Sequence, residues 1–387
     1  MPSAEIYSTG CAPRICHKTT EWNSIMFLMW ILVLVMVIGL NIYLPWRTGN
    51  LFALQNKIWL YILFAAGLVS CFVSMSLKTR FDGILVSIFY NVSMTWLGIF
   101  IFLSCFMLIF EIVNLIHKLP PAKAGWAVVI LTAILSTYSL INACSFKVSN
   151  IDIPVRDIEN EVRIAQISDI HLGASRGERY LAKIVEKTNE LNPDFAVITG
   201  DIADSGIALT KNMFTPLRNL KMPVYFVYGN HDVYIGLEEV IANLKENNVI
   251  ILQNEILEVS GLKLVGLNYM SADDSTYDPH QVSDETIKDI LPTLDLSGDN
   301  PIVVLHHGPW GIEYMNEHGV ALILAGHTHG GQIFPATVIA GMRFPYNKGL
   351  HEYKGTYIYI SQGAGTYFPI MRFGSNNEIN FITLKPS

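Results

Sequence analysis

At 387 residues the chain is long enough for two domain-sized units, yet a mean hydropathy of +0.35 with only 15% charged residues is too apolar for an ordinary soluble protein. A net charge of −7 without any dense Lys/Arg cluster excludes nucleic acid as the main partner. All five cysteines (Cys11, Cys16, Cys71, Cys105, Cys144) precede Ser145, which excludes a disulfide framework for everything after it.

Residues 1–24 read as a cytosolic N-terminal tail. Its Cys11, Cys16 and His17 lack the second ligand pair that a zinc site needs. A transmembrane anchor is predicted over 25–147, in four apolar stretches. Ile25–Leu44 and Ile58–Leu77 each have the about 20 residues that cross ~30 Å of hydrocarbon. Ile84–Ile116 reads as one span with an extension, and Ala124–Ile141 as the fourth. The first stretch is no cleaved signal peptide, because its apolar core is too long and no small-residue site precedes Pro45 and Trp46. Between the stretches fall the residues expected at a bilayer surface: Trp46-Arg47, Lys57 with Trp59, Lys78-Thr79-Arg80, and Lys118 to Lys123 around Pro120-Pro121.

Four spans put both chain ends on one side of the membrane. That side carries Arg14, Lys18, Lys78, Arg80, Lys147 and Arg156, against Arg47, Lys57, Lys118 and Lys123 opposite, so the positive-inside rule favours a cytoplasmic C-terminal domain. Only Glu111 is ionisable within a stretch, near its end, which argues for an anchor rather than an ion or substrate pathway.

After Pro154 the pattern becomes mixed and periodic. Strands are predicted at Val162–Ile167, Phe195–Thr199, Val224–Tyr228 and Val249–Leu252, with helices at Glu178–Leu191, Ala208–Leu220 and Leu237–Asn247 between them. Ile256–Val259 and Leu262–Gly266 form a hairpin about Ser260-Gly261. Further strands follow at Ile302–Leu305, Ala321–Ala325, Thr356–Ile360 and Ile379–Leu384. Strands alternating with helices and a β-rich end indicate a layered α/β domain.

Polar residues gather just past the strands. The first strand leads into Asp169-Ile170-His171, the second into Gly200-Asp201, the third into Gly229-Asn230-His231-Asp232. Later strands lead into His306-His307-Gly308-Pro309 and Gly326-His327-Thr328-His329. Carboxyl ends of strands in open α/β sheets form the ligand crevice. Strand alternation would point Asp169 and His171 the same way, and likewise His327 and His329. Carboxylate and neutral imidazole suit Mn, Fe or Zn. Two divalent ions would leave positive charge uncompensated by Asp169 and Asp201, which suits an anionic phosphate ester. No Gly-x-x-x-x-Gly-Lys-[Ser/Thr] loop is present, which argues against an NTP-driven enzyme.

The order Asp-x-His, Gly-Asp, Gly-Asn-His-Asp, His-x-Pro, Gly-His-x-His resembles the calcineurin-like metallophosphoesterase superfamily across residues 160–365. The run from Gly326 to Pro335 is similar to its membrane-associated bacterial phosphohydrolase branch. The resemblance implies a four-layer α/β/β/α sandwich over 155–387, following the four-helix transmembrane region. It implies two divalent metal ions, one held by Asp169, His171 and His329, the other by Asn230, His327 and His307, with Asp201 bridging. His307 is preferred to His306 because the family pattern is His-x-Pro. His231 would not ligate; it would stabilise the phosphate and protonate the leaving group, oriented by Asp232. Metal-activated water would then attack phosphorus with no covalent enzyme intermediate.

The expected partner besides the membrane is a phosphoester substrate. It is either a lipid-linked phosphoester or pyrophosphate, which would explain the anchor, or a soluble ester. The rival reading is a catalytically silent membrane sensor or scaffold that keeps the fold as a binding module. His17, His117, His280, His318 and His351 lack motif context and read as surface or packing residues, and the Asp273-Asp274 pair as solvated.

Overall fold

A computed structural model describes residues 13–81, 83–210, 213–276 and 278–387. Cys11 lies outside the described residues. Four long helices come first: α1 (Pro13–Leu51), α2 (Ile58–Lys78), α3 (Ile84–Ile116) and α4 (Pro121–Cys144). Within α1, the part from Ile31 to Leu51 is apolar enough to cross a membrane, as are α2, α3 and α4 over their whole lengths. Helix is the form these sequences must take in lipid, where no water satisfies the backbone.

The chain divides into two compact units. Among the described residues, the first comprises those up to Val69 together with Leu103–Leu131, and the second comprises Ser70–Phe102 and Thr132–Ser387. Within the first, Glu111 is not a lone charge. Its carboxylate accepts from Arg47 Nε at 2.5 Å and from the Tyr43 hydroxyl at 2.8 Å. That pairing removes the sign of an ion pathway.

The second unit holds two six-stranded sheets. After α4 come β1 (Phe146–Val155), β2 (Val162–Ile167), α5 (Glu178–Leu191), β3 (Phe195–Thr199), α6 (Ile207–Thr210), β4 (Val224–Val227), α7 (Asn230–Glu246) and β5 (Ile250–Ile251). The second half runs β6 (Glu255–Val259), β7 (Leu262–Gly266), α8 (Ile287–Ile290), β8 (Ile302–Leu305), α9 (Ile312–Glu317) and β9 (Val320–Ala325). It closes with α10 (Ala336–Arg343), β10 (Gly349–Tyr353), β11 (Thr356–Ile360) and β12 (Asn377–Pro386).

The sheets are ordered β1-β12-β2-β3-β4-β5 and β10-β11-β9-β8-β7-β6. Their inner faces share one apolar core: Ile164, Phe195, Val197 and Val227 from the first meet Leu264, Val303, Leu305 and Leu322 from the second. Each outer face is covered by helices. Leu181, Ile184 and Val185 of α5, with Val240 and Leu244 of α7, bury against the first sheet. Ile287 of α8 and Ile312 and Met315 of α9 bury against the second. The result is the expected α/β/β/α sandwich. In α5 the buried positions 181, 184, 185 and 188 repeat at helical spacing, and the helix stops at Asn192 in the left-handed region (φ 48°).

Several elements differ from the sequence reading, two of them for a reason visible in the chain. Of the helix expected at Ala208–Leu220, the described residues form α6 and a separate 3-10 turn at Thr215–Asn219, where Pro216 disfavours helix in the residue before it. β1 was unforeseen, because it follows α4 almost without a break and is an edge strand with Pro154 in it. An edge strand can tolerate the missing N–H. It pairs in parallel with β12, from Phe146 opposite Asn377 to Val155 opposite Pro386.

Candidate metal centre

In the first sheet β2, β3 and β4 run parallel, and in the second β8 and β9 do. Their carboxyl ends therefore deliver Asp169, Asp201, Asn230, His307, His327 and His329 to one edge. The turns are not strand continuations. Asp169, His171, Asp201, His327 and His329 all have positive φ, at 51°, 52°, 51°, 74° and 51°. The paired side chains converge through left-handed kinks rather than through strand alternation, and this corrects the reason given by pattern alone. Such backbone is uncommon outside glycine, though Asp and His adopt it more readily than most residues, and here it is held by neighbours. Asp169 N–H donates to Gly200 C=O at 3.0 Å, His171 N–H to Asp201 C=O at 3.1 Å, and His327 N–H to both Asp169 oxygens at 3.1 Å. Gly200 has φ +85°, and a Cβ there would stand 2.5 Å from His307 Nδ1, so only glycine fits.

Among the described residues, three groups of side chains have donor atoms within 4.8 Å of one another: Asp169 with His171 and His329, His171 with Asp201 and His231, and Asp201 with His307 and His327. Asp201 and His171 link the groups. His171 Nε2 lies 2.9 Å from His329 Nε2 and 3.8 Å from Asp201 Oδ2. His307 Nε2 lies 3.2 Å from the same Asp201 oxygen, and Asn230 Oδ1 sits 3.1 Å from His327 Nδ1. All seven residues expected from the motifs are thus gathered. The two adjacent histidines separate clearly. His307 Nδ1 faces the Thr199 carbonyl at 2.7 Å, which turns Nε2 into the cluster. His306 is engaged elsewhere, with Nδ1 at 2.8 Å from Gly308 C=O.

The electrostatics fit divalent cations. Burial, then neighbouring His231 and His329, hold His171 well below the usual imidazole range; burial, then His307, does the same to His327, and burial, then Arg372, to His329. Neutral imidazoles offer lone pairs, as metal ligands must. Against the effect of its burial, His307 is pushed up to about 10 by the Asp201 carboxylate. Its buried Nε2 nonetheless makes no hydrogen bond of acceptable geometry. A buried nitrogen without such a bond, facing a buried carboxylate among imidazoles, is the donor set a divalent cation completes.

His231 is half-buried in the first turn of α7, where helix N–H groups favour anions, and its own N–H donates to Asp201 Oδ1 at 2.9 Å. Asp232 does not orient it. Both Asp232 oxygens accept from backbone N–H groups, of Asp201 (2.8 Å), Ile202 (3.0 Å) and Gly229 (2.9 Å), so Asp232 clamps the Asp201 turn to the helix start. The site opens into a cavity of about 680 Å³ walled by Tyr234, His280, Trp310, Arg343, Phe344 and Tyr367.

Sequence reasoning missed several members. His280, read as a surface residue, forms part of this wall, its ring centre 5.9 Å from that of His327. Arg372 is fully buried and donates to the carbonyls of His329, Gln362 and Gly365, fixing the turn that carries His329. No motif announces it; only its complete burial does. Asp273 is not simply solvated, for it accepts from Tyr314, Ser275 and Thr276 and is held down to about 2 by these bonds despite some burial. Asp204 pairs with Lys78 Nζ at 2.7 Å, and Gln332 is tied to Pro369 C=O and Tyr367 N–H.

A family model for the calcineurin-like phosphoesterases matches residues 162–331. The chain is 32% identical over 323 residues to a transmembrane protein with metallophosphoesterase domain from Danio rerio, covering 76% of this chain and 73% of that one. It is 32% identical over 245 residues to an uncharacterized metallophosphoesterase of Helicobacter pylori, covering 62% and 64% respectively. Among solved structures, a dimetal phosphatase from Danio rerio aligns with a TM-score of 0.35 at 12% identity, covering 58% of this chain and 99% of that one. The chain belongs to the calcineurin-like metallophosphoesterases. It is a membrane protein and a metal-dependent phosphoesterase.

Proposed function

We propose that the chain is a multi-pass, membrane-bound phosphohydrolase, with its anchor at 25–147 and its catalytic domain at 155–387 on the cytoplasmic side. In this reading Asp169, His171 and His329 hold one divalent ion, and Asn230, His307 and His327 hold a second, with Asp201 shared between them. The observation that carries it is the chain of donor groups linked through Asp201 and His171 at the head of the cavity. Mn, Fe and Zn all suit this mixture of carboxylate, amide oxygen and imidazole.

Bound divalent ions would supply Lewis-acid polarisation of a phosphoryl oxygen and acidify water at neutral pH. The protein's own residues supply the rest. His231, at the start of α7, lies where a phosphoryl group entering the cavity meets both its ring and the helix N–H groups. It donates a hydrogen bond to the phosphate and a proton to the leaving oxygen. Tyr234, Trp310, Phe344 and Tyr367 exclude water and grip an apolar leaving group. Substrates are phosphoesters or pyrophosphates, and an apolar cavity wall in a chain that also carries a membrane anchor favours the lipid-linked kind.

The test is turnover by detergent-solubilised full chain, loaded with Mn²⁺, on soluble and lipid phosphoesters. Hydrolysis of at least one class is expected, with His231→Ala slowing it by about 10²-fold while metal content is kept. No turnover of any phosphoester or pyrophosphate by metal-loaded protein would favour a silent binding module instead.

A further inference from the structure

α10 presents an apolar face to solvent. Val338, Ile339 and Met342 are 53%, 63% and 83% exposed, and Phe334, two residues before the helix, is 41% exposed. Positions 338, 339 and 342 share one side at helical spacing, and Arg343 closes the helix. Such a face normally buries against the protein.

The surroundings of α10 say what covers it. Met371 packs against Gly98 of α3 so closely that a Cβ at Gly98 would collide with its sulfur. The Phe373 ring stands edge-on to Phe102 of α3 at 5.9 Å and to Tyr138 of α4 at 6.2 Å. α3 has 33 residues, whereas about 20 cross the hydrocarbon core. Whichever 20 or so of these cross, from 84–103 to 97–116, Gly98 and Phe102 are among them. Met371 and Phe373 therefore sit beside parts of α3 that lie within the bilayer. Phe373 forms a β-bridge with Ile333, and its carbonyl accepts the Phe334 N–H at 2.9 Å. The chain enters α10 two residues later.

We propose that the segment Phe334–Arg343 is a membrane-dipping element, its apolar face seated in the bilayer interface and Arg343 reaching the phosphate level. Short amphipathic helices with a basic end bind bilayers in this way, and Arg extends its apolar stem while keeping its charge wet. The same stretch of chain continues into Phe344 and Pro345, which with Arg343 form one wall of the metal cavity. The cavity rim then lies at the headgroup level. Resting on the function proposed above, this makes a phospholipid or lipid-pyrophosphate headgroup the substrate class, entering past Arg343.

Photolabelling tests the placement. The full chain in nanodiscs of phosphatidylcholine and phosphatidylglycerol is irradiated with a bilayer-partitioned aryl diazirine, and adducts are mapped by mass spectrometry. Adducts are expected on Val338, Ile339 and Met342 as well as on α3, and about tenfold fewer on this segment in Ile339→Asp/Met342→Asp. Labelled α3 with an unlabelled Phe334–Arg343 would overturn the proposal, as would protection of the segment by contact with a second copy. Turnover separates this from the catalytic reading. The double variant should hydrolyse soluble bis-p-nitrophenyl phosphate like wild type but lose about tenfold on phosphatidic acid and CDP-diacylglycerol in the bilayer. Equal rates for variant and wild type on both lipids would overturn the substrate inference. A lack of any turnover in wild type would sink the enzymatic reading and leave the labelling result standing.

Discussion

In the metal-free chain the Asp201 carboxylate favours the protonated form of His307, so a bound metal ion would displace that proton. Burial works against its charge, but the Asp201 oxygen 3.2 Å from Nε2 outweighs that and pushes it up to about 10. A raised imidazole pKa means that the pair stabilises the metal-free fold fully below the unfolded value of about 6.5, and that this stability is lost as pH rises towards 10. The metal-free chain should therefore melt at progressively lower temperature from pH 7 to pH 10, while metal-loaded chain should not. Metal affinity should move the opposite way, rising by up to about tenfold per pH unit over that range as the competing proton is lost. Titration calorimetry in buffers of different ionisation enthalpy should detect proton release on loading near neutral pH. Absence of that release would place His307 outside the ligand set. His306→Ala should leave the metal content unchanged while His307→Ala lowers it, as elemental analysis can show. At this scale the sequence was informative: the seven residues gathered at the head of the cavity are all named by motif order. The left-handed kinks and Arg372 were not. Backbone φ at a turn and the burial of an arginine both depend on contacts between segments far apart in the chain.

Lys78 ends α2 and Asp204 follows β3 in the turn that carries Asp201, and their 2.7 Å ion pair is nearly closed to solvent, with side chains 9% and 8% exposed. Breaking a buried pair strands one charge, at a cost of about 3–5 kcal/mol, whereas replacing both partners with apolar groups leaves none stranded. Lys78→Met and Asp204→Leu should each lower the melting temperature of the solubilised protein, and the double variant should recover most of the loss. Additive losses would show that the ion pair does not couple these residues. Helices and central strands were legible because their apolar periodicity is long or their runs are bounded by glycines. β1, β10 and α10 were not. β10 alternates between exposed and half-buried positions with none fully buried, β1 is fully buried only at Ile153 and Val155, and α10 buries no side chain completely. Pattern reading detects burial against the protein and passes over faces turned elsewhere.

For the molecule as a whole, composition already divided the chain into an apolar half and a mixed α/β half, and the two stacked sheets follow from strands whose inner residues are uniformly buried. What composition could not supply is how the second compact unit continues into Ser70–Phe102 and Thr132–Cys144, parts of three helices long and apolar enough to cross a membrane. That arrangement rests on small contacts, such as Asn91 with Ser175 at 2.6 Å and Asn142 with the Arg372 carbonyl at 3.1 Å, which no periodicity encodes. Asp201 is proposed to stand between two cation sites. Metal content per chain, measured by elemental mass spectrometry on wild type and Asp201→Asn after identical loading and desalting, tests this directly. Two ions per wild-type chain and a loss from both sites in the variant are expected. A wild type that retains one ion or none, or a variant that retains both, would contradict it.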